Sequence, residues 1–233
     1  MTPHPDQPEA TPPAAPEFRP REPIFNLPPG TLWLALAMIA VFVLESLLEG
    51  PAWSWLLNTF AFVSTAFWPP GAALPTAQGV MTLVSHAFLH ADLVHLALNL
   101  GFLLAFGSFV ERHLGLARYL LVFALTAAAG ALTEYALRGG EPLALIGASG
   151  AVYGMTGAAI RFMFAGGGAA RRRGALGFVG VFLGLNLVLG LTGLGDLLAG
   201  AAVGWKAHAG GFLAGALLSV LLGPRGLTRR GPA

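Results

Sequence analysis

The sequence predicts an all-α polytopic membrane protein, a bundle of six transmembrane helices. Three observations carry that prediction. The chain is 55% hydrophobic and 10% charged with a mean hydropathy of +0.70, whereas an ordinary soluble domain holds roughly 25% charged residues. Apolar runs long enough to cross a bilayer, about 17 to 25 residues, recur with short polar breaks between them. Lysine and arginine also fall overwhelmingly on one side of the topology those runs define.

Residues 1–29 hold ten of the 17 prolines and little to bury, so the expectation there is a disordered cytoplasmic tail without a cleavable signal. The first span is expected over about Thr31 to Leu48. A long connection follows, from about Glu49 to Asp92, in which Trp53, Trp55, Leu56, Leu57, Phe60, Phe62, Phe67 and Trp68 run without a charge. That composition suits a segment lying at the membrane interface. An extra span over Trp53 to Trp68 is the competing reading, opposed by the Pro69-Pro70-Gly71 that follows at once.

The second span is expected from about Leu93 to Val110, the third from Tyr119 to Leu137, and the fourth from Ser149 to Ala165. The fifth runs from about Ala175 to Leu194 and the sixth from Ala207 to Leu222, where Gly223-Pro224 opens a basic tail over 224–233. The membrane domain is therefore expected over 30–223. With six spans and cytoplasmic termini, eleven arginines fall on the cytoplasmic side and only Arg138 and Lys206 on the other. This is the asymmetry that cytoplasmic loops impose.

The same composition excludes several functions. There are no cysteines, hence no disulfide framework, thiol nucleophile or thiolate metal site. The basic residues lack aromatic interleaving, and no nucleic-acid surface is expected.

Spans two, four and six run in the same direction, so their first turns share a depth toward the outer face. Ser149 and His208 stand at that depth, as do His90, His95 and Asn99. Polar groups inside a membrane are costly and mark function by default. Ser149 lies between glycines at a helix start, where unpaired N–H groups can hold an oxyanion. Gly-Ala-Ser-Gly also reads as a small-residue surface for close helix packing, and the serine alone does not choose between the two. His208 is the only histidine on spans four to six, and a serine needs such a base.

No aspartate is placed to complete a triad, which points to a Ser–His dyad of Ser149 and His208. His95 and Asn99, spaced i,i+4, project from one helix face and suit an oxyanion hole. Ser149 and Tyr153 share the same spacing, so the tyrosine ring can support the site or serve as an interface anchor. His86, His90 and His95 invite a metal reading, but Ala87 stands where a zinc hydrolase helix would carry its glutamate. No metal and no cofactor are expected, and His90 is assigned to bonding the loop that caps the site. Glu134 and Arg161, near span ends, are expected to reach the interface with their long side chains. Gly101, Gly107, Gly154, Gly157, Gly211 and Gly215 are expected to let helices approach closely.

Four motifs in order carry a family resemblance. Phe88-Leu89-His90-Ala91-Asp92-Leu93-Val94-His95-Leu96-Ala97-Leu98-Asn99, Gly107-Ser108-Phe109-Val110-Glu111-Arg112, Ile146-Gly147-Ala148-Ser149-Gly150-Ala151-Val152-Tyr153-Gly154 and His208-Ala209-Gly210-Gly211-Phe212-Leu213-Ala214-Gly215 resemble those of rhomboid intramembrane serine proteases of the six-span bacterial type. The Trp-Arg pair that some members carry in the first loop is absent. The resemblance implies Ser149 as nucleophile, His208 as base, and His95, Asn99 and the Ser149 backbone N–H as oxyanion donors. It implies cleavage of transmembrane protein substrates near the outer membrane boundary, without a cofactor, in a bacterial inner membrane. The alternative is a catalytically inactive relative that binds membrane helices. A transporter, from another class, should show an internal repeat, and none is evident between the halves.

Overall fold

The computed structural model describes residues 27–138, 141–166, 168–192 and 204–223. Most of the expected N-terminal tail and the basic tail over 224–233 lie outside the described residues.

Helix α1 (Pro29–Leu47) starts on prolines, which tolerate the first helical turn because its N–H groups have no helical partner. A short α2 (Gly50–Phe60), strand β1 (Phe62–Val63), α3 (Ser64–Phe67) and α4 (Ala77–Ser85) follow, and a 3₁₀ turn closes the connection at His86–Phe88. Next comes α5 (Leu93–Phe102), capped by Asp92, whose carboxylate accepts from the His95 N–H at 2.8 Å. It passes through a π-helical turn, Leu103–Gly107, into α6 (Ser108–Leu114). The remaining elements are α7 (Leu116–Ala136), β2 (Ala144–Leu145), α8 (Ser149–Gly166), α9 (Ala169–Thr192) and α10 (Trp205–Leu222).

Among the described residues, four helical stretches are long and apolar enough to cross a membrane, Pro29–Leu47, Leu93–Leu114, Leu116–Ala136 and Trp205–Leu222. The protein is an integral membrane protein of mostly helical structure. Helices α8 and α9 fall where the fourth and fifth spans were expected. Helix α2, at 11 residues, reaches only about 16 Å, far short of the roughly 30 Å hydrocarbon core. Its exposed Trp53 and Trp55 fit an interfacial position instead of an extra span.

Three departures from expectation have physical causes. The second span continues past Val110 to Leu114 because Glu111 turns inward: its buried carboxylate accepts from the Gly30 N–H at 2.8 Å, the Thr31 N–H at 2.7 Å and the Thr31 hydroxyl at 2.8 Å. It thereby caps α1, which has no cap of its own. Helix α9 starts at Ala169 because its arginines are good helix formers and extend the helix past its apolar stretch. A two-stranded antiparallel pair also interrupts the all-α expectation, with Phe62 opposite Leu145 and Val63 opposite Ala144.

That pair ties the first connection to the segment before Ser149. Ser64 N–H donates to the Leu143 carbonyl and Leu143 N–H to the Ser64 hydroxyl, each at 2.9 Å. Phe62, Phe67 and Tyr135 pack beside it, with ring centroids 5.3 Å and 5.5 Å apart along the chain of contacts, and seat the connection on α7.

In lipid the hydrophobic effect does not drive helices together, and close backbone approach takes its place. A Cβ on Gly211 would meet the Gly150 carbonyl, one on Gly215 the Gly154 carbonyl, and one on Gly157 the Phe212 carbonyl. Helices α8 and α10 therefore touch backbone to backbone. Gly154 also lies against Thr126 of α7, and Gly107 brings α6 to the Tyr119 hydroxyl. Gly101 is the exception, since nothing lies within 4 Å of where its Cβ would stand.

Candidate active site

The chain brings the starts of α5, α8 and α10 to one end of the bundle, together with the ends of α1 and α7. Glu45 on α1 accepts from the His90 N–H at 3.2 Å, and Glu134 on α7 accepts from the Ala207 N–H at 3.0 Å. The opposite end is marked by Arg118, which donates to the Leu222 carbonyl at 3.1 Å, and by His113 stacked on Phe162.

Ser149 is the first residue of α8, half-buried. The Ala148 carbonyl accepts the first helical bond, from the Val152 N–H at 2.9 Å, and alanine has no side-chain acceptor to cap the turn. The N–H groups at the start of α8 are thus available to an incoming anion. The preceding Gly147 has φ of +108° and donates its N–H to the His86 carbonyl at 2.9 Å. A Cβ there would sit 2.6 Å from Cε1 and Nε2 of His95. The His95 ring therefore lies directly against the loop that presents Ser149.

His208 is buried on the first turns of α10. The Tyr153 ring lies flat on its imidazole, with centroids 4.1 Å apart and planes 10° apart. Tyr153 is one turn along α8 from Ser149, and Gly150 packs against Gly211, three residues beyond His208. The facing turns of α8 and α10 thus carry the serine and the imidazole.

Asn99 is buried, and its amide donates one hydrogen to the His95 carbonyl at 2.8 Å. Its second amide hydrogen remains to donate elsewhere. The His90 and His95 ring centroids are 5.1 Å apart. His90 Nδ1 is 3.2 Å from the Phe88 carbonyl, and its Nε2 is buried without a partner among the described residues. Burial, assisted by neighbouring His95, pushes the His90 imidazole down to about 4, so the ring is neutral near pH 7.

His86 turns back on its own helix, Nδ1 lying 2.8 Å from the Thr82 carbonyl. No group of three His, Cys, Asp or Glu among the described residues is arranged to hold a metal ion.

Two residues beside the site have roles that the sequence reading missed. The apolar run around Glu45 signals no role for it, and Glu134, near a span end, is expected to reach the interface. Glu134 is instead buried, bonded to the backbone of α10 and to Arg138, whose Nε is 3.2 Å from its other oxygen. The available signal was the Arg138 four residues on, a partner that would let a carboxylate stay inside an apolar span.

A sequence model of the Rhomboid domain matches residues 77–225. The Bacillus subtilis (strain 168) protein named "Putative rhomboid protease YdcA" is 35% identical over 109 residues, covering 44% of this chain and 53% of that protein. The chain thus spans about half the length of this curated relative.

Proposed function

Because the chain belongs to the rhomboid family, we propose that it is an intramembrane serine endopeptidase that cuts transmembrane proteins near the outer membrane boundary. The observation that carries the proposal is the junction of α8 and α10, where Tyr153 stacks on His208 one turn from Ser149.

In this reading the Ser149 hydroxyl attacks the carbonyl carbon of the scissile peptide while His208 takes its proton. The oxyanion is held by the Ser149 backbone N–H, the second amide hydrogen of Asn99 and a ring N–H of His95. Collapse of the tetrahedral intermediate breaks the C–N bond, and His208 returns the proton to the leaving amine. Water then attacks the acyl-enzyme with His208 again as base, releasing the new carboxyl end and restoring Ser149. Each step uses only this chain's residues and water.

Hydrolysis in a membrane requires a hydrated cavity walled from lipid. A substrate helix must also unwind, since its carbonyls are already hydrogen-bonded. Substrates therefore carry small or helix-destabilising residues near the cut. The arginine asymmetry indicates a six-span protein with cytoplasmic termini, and in this reading the membrane is a bacterial inner membrane.

The test is cleavage of a tagged single-span substrate in proteoliposomes. Wild type cuts, whereas Ser149→Ala and His208→Ala, folded by thermal unfolding, do not. Cutting by Ser149→Ala would overturn the Ser–His dyad, whereas inertness of wild type toward several substrates would favour an inactive helix-binding relative.

A further inference from the structure

We propose that Glu134 is a positioning residue for His208, acting by capping α10 from the neighbouring helix α7; the proposal rests on the protease reading given above. Helix α10 cannot cap its own start. Its N-cap is Gly204, without a side chain, and no side-chain cap bond is formed there. The first N–H bonded within the helix is that of His208 itself, to the Gly204 carbonyl at 3.1 Å. The N–H groups before it need acceptors from elsewhere.

Glu134 supplies one. Its Oε2 accepts from the Ala207 N–H at 3.0 Å, on the residue next to His208, and its Oε1 accepts from Arg138 Nε at 3.2 Å. Glu134 is only 3% exposed, so the bond forms away from water, where an unpaired amide is expensive. Two further contacts hold the same turn. Lys206 Nζ donates to the Leu137 carbonyl at 2.9 Å, and a Cβ on Gly130 would lie 3.0 Å from the Ala207 carbonyl. The turn bearing His208 is thus gripped through its amide by Glu134 and rests its carbonyl side on Gly130.

The consequence is geometric. Tyr153 fixes the face of the imidazole, whereas Glu134 fixes the position of the backbone from which the imidazole projects. A base displaced by about an ångström loses on the order of 10²-fold in rate. Withdrawing the acceptor should therefore lower turnover without weakening substrate binding.

Two conservative substitutions separate reach from charge. Glu134→Gln keeps an oxygen for the Ala207 N–H and gives up the charge together with the bond from Arg138. Glu134→Asp keeps the charge and withdraws the oxygen by one methylene. Both are assayed in proteoliposomes beside wild type and Ser149→Ala, with active sites counted by end-point labelling with a fluorophosphonate. The expected result is a kcat lowered on the order of tenfold or more in Glu134→Asp, with KM within about twofold, and a kcat within about threefold of wild type in Glu134→Gln.

A Glu134→Asp enzyme with wild-type kcat per labelled site overturns the proposal. So does a Glu134→Gln enzyme as slow as Glu134→Asp, which would assign the effect to the charge and its pairing with Arg138. A variant that loses only labelled sites or thermal stability would show a merely structural role and also overturn it. Failure of the protease reading itself is distinguishable, because wild type would then neither cut nor be labelled at Ser149.

Discussion

The phenol ring of Tyr153 and the imidazole of His208 lie parallel, with their centroids 4.1 Å apart, across the junction of α8 and α10. The stack covers one face of the proposed base and limits its rotation. Tyr153→Phe preserves the ring and should keep cleavage within a few-fold of wild type. Tyr153→Ala frees the imidazole and should lower kcat on the order of tenfold or more. Steady-state cleavage in proteoliposomes measures both, and equal activity in the two variants would remove the stack from the mechanism.

The backbone contact of α8 with α10 predicts a contrast among glycines. Gly211→Ala and Gly215→Ala place a methyl group into the Gly150 and Gly154 carbonyls. Overpacking of this kind costs about 1–3 kcal/mol, and activity should fall with it as the two turns part. Gly101→Ala enters open space and should stabilise its helix by about 0.5–1 kcal/mol. Thermal unfolding in detergent gives the order directly.

Gly147 should respond differently from the packing glycines. Its φ of +108° disfavours any L side chain, and a Cβ would meet the His95 ring. Gly147→Ala should pay about 1–3 kcal/mol in backbone strain and, by displacing a proposed oxyanion donor, lose on the order of 10²-fold in kcat. A folded variant with near wild-type kcat would separate His95 from the oxyanion.

Stability should depend on pH through His86 and His90. Burial lowers both from 6.5 to about 4, so the folded chain holds them neutral while the unfolded chain binds protons below about 6.5. Their contribution is fully present above pH 6.5 and is lost progressively as pH falls toward 4. Unfolding temperature should drop across that window, and His86→Gln with His90→Gln should flatten the drop. An unchanged slope in the double variant would locate the titration elsewhere.

Helix positions were legible where apolar runs end in glycine, proline or charge, and α8 begins at Ser149 as expected. Charges that face inward were not legible. Glu111 and Glu134 looked like boundary or interface residues, because hydropathy counts a carboxylate without knowing which backbone N–H groups await it. The β1–β2 pair was equally hidden, since each strand has two residues and its partner lies some eighty positions away. Among the site residues, side-chain spacing suggested the Tyr153 and Asn99 placements, whereas the Gly147 contact with His95 depends on a backbone angle that composition does not encode.

The Glu111 carboxylate that caps α1 is 80 residues downstream of Thr31 in synthesis order. Helix α1 therefore enters the bilayer before its own cap has been translated, with its first amides answered only by water or lipid headgroups. The helix gains its final anchorage when α6 arrives, so assembly of the bundle closes backward onto its earliest segment. A nascent chain halted between α5 and α6 should hold α1 loosely and leave it open to protease or chaperone.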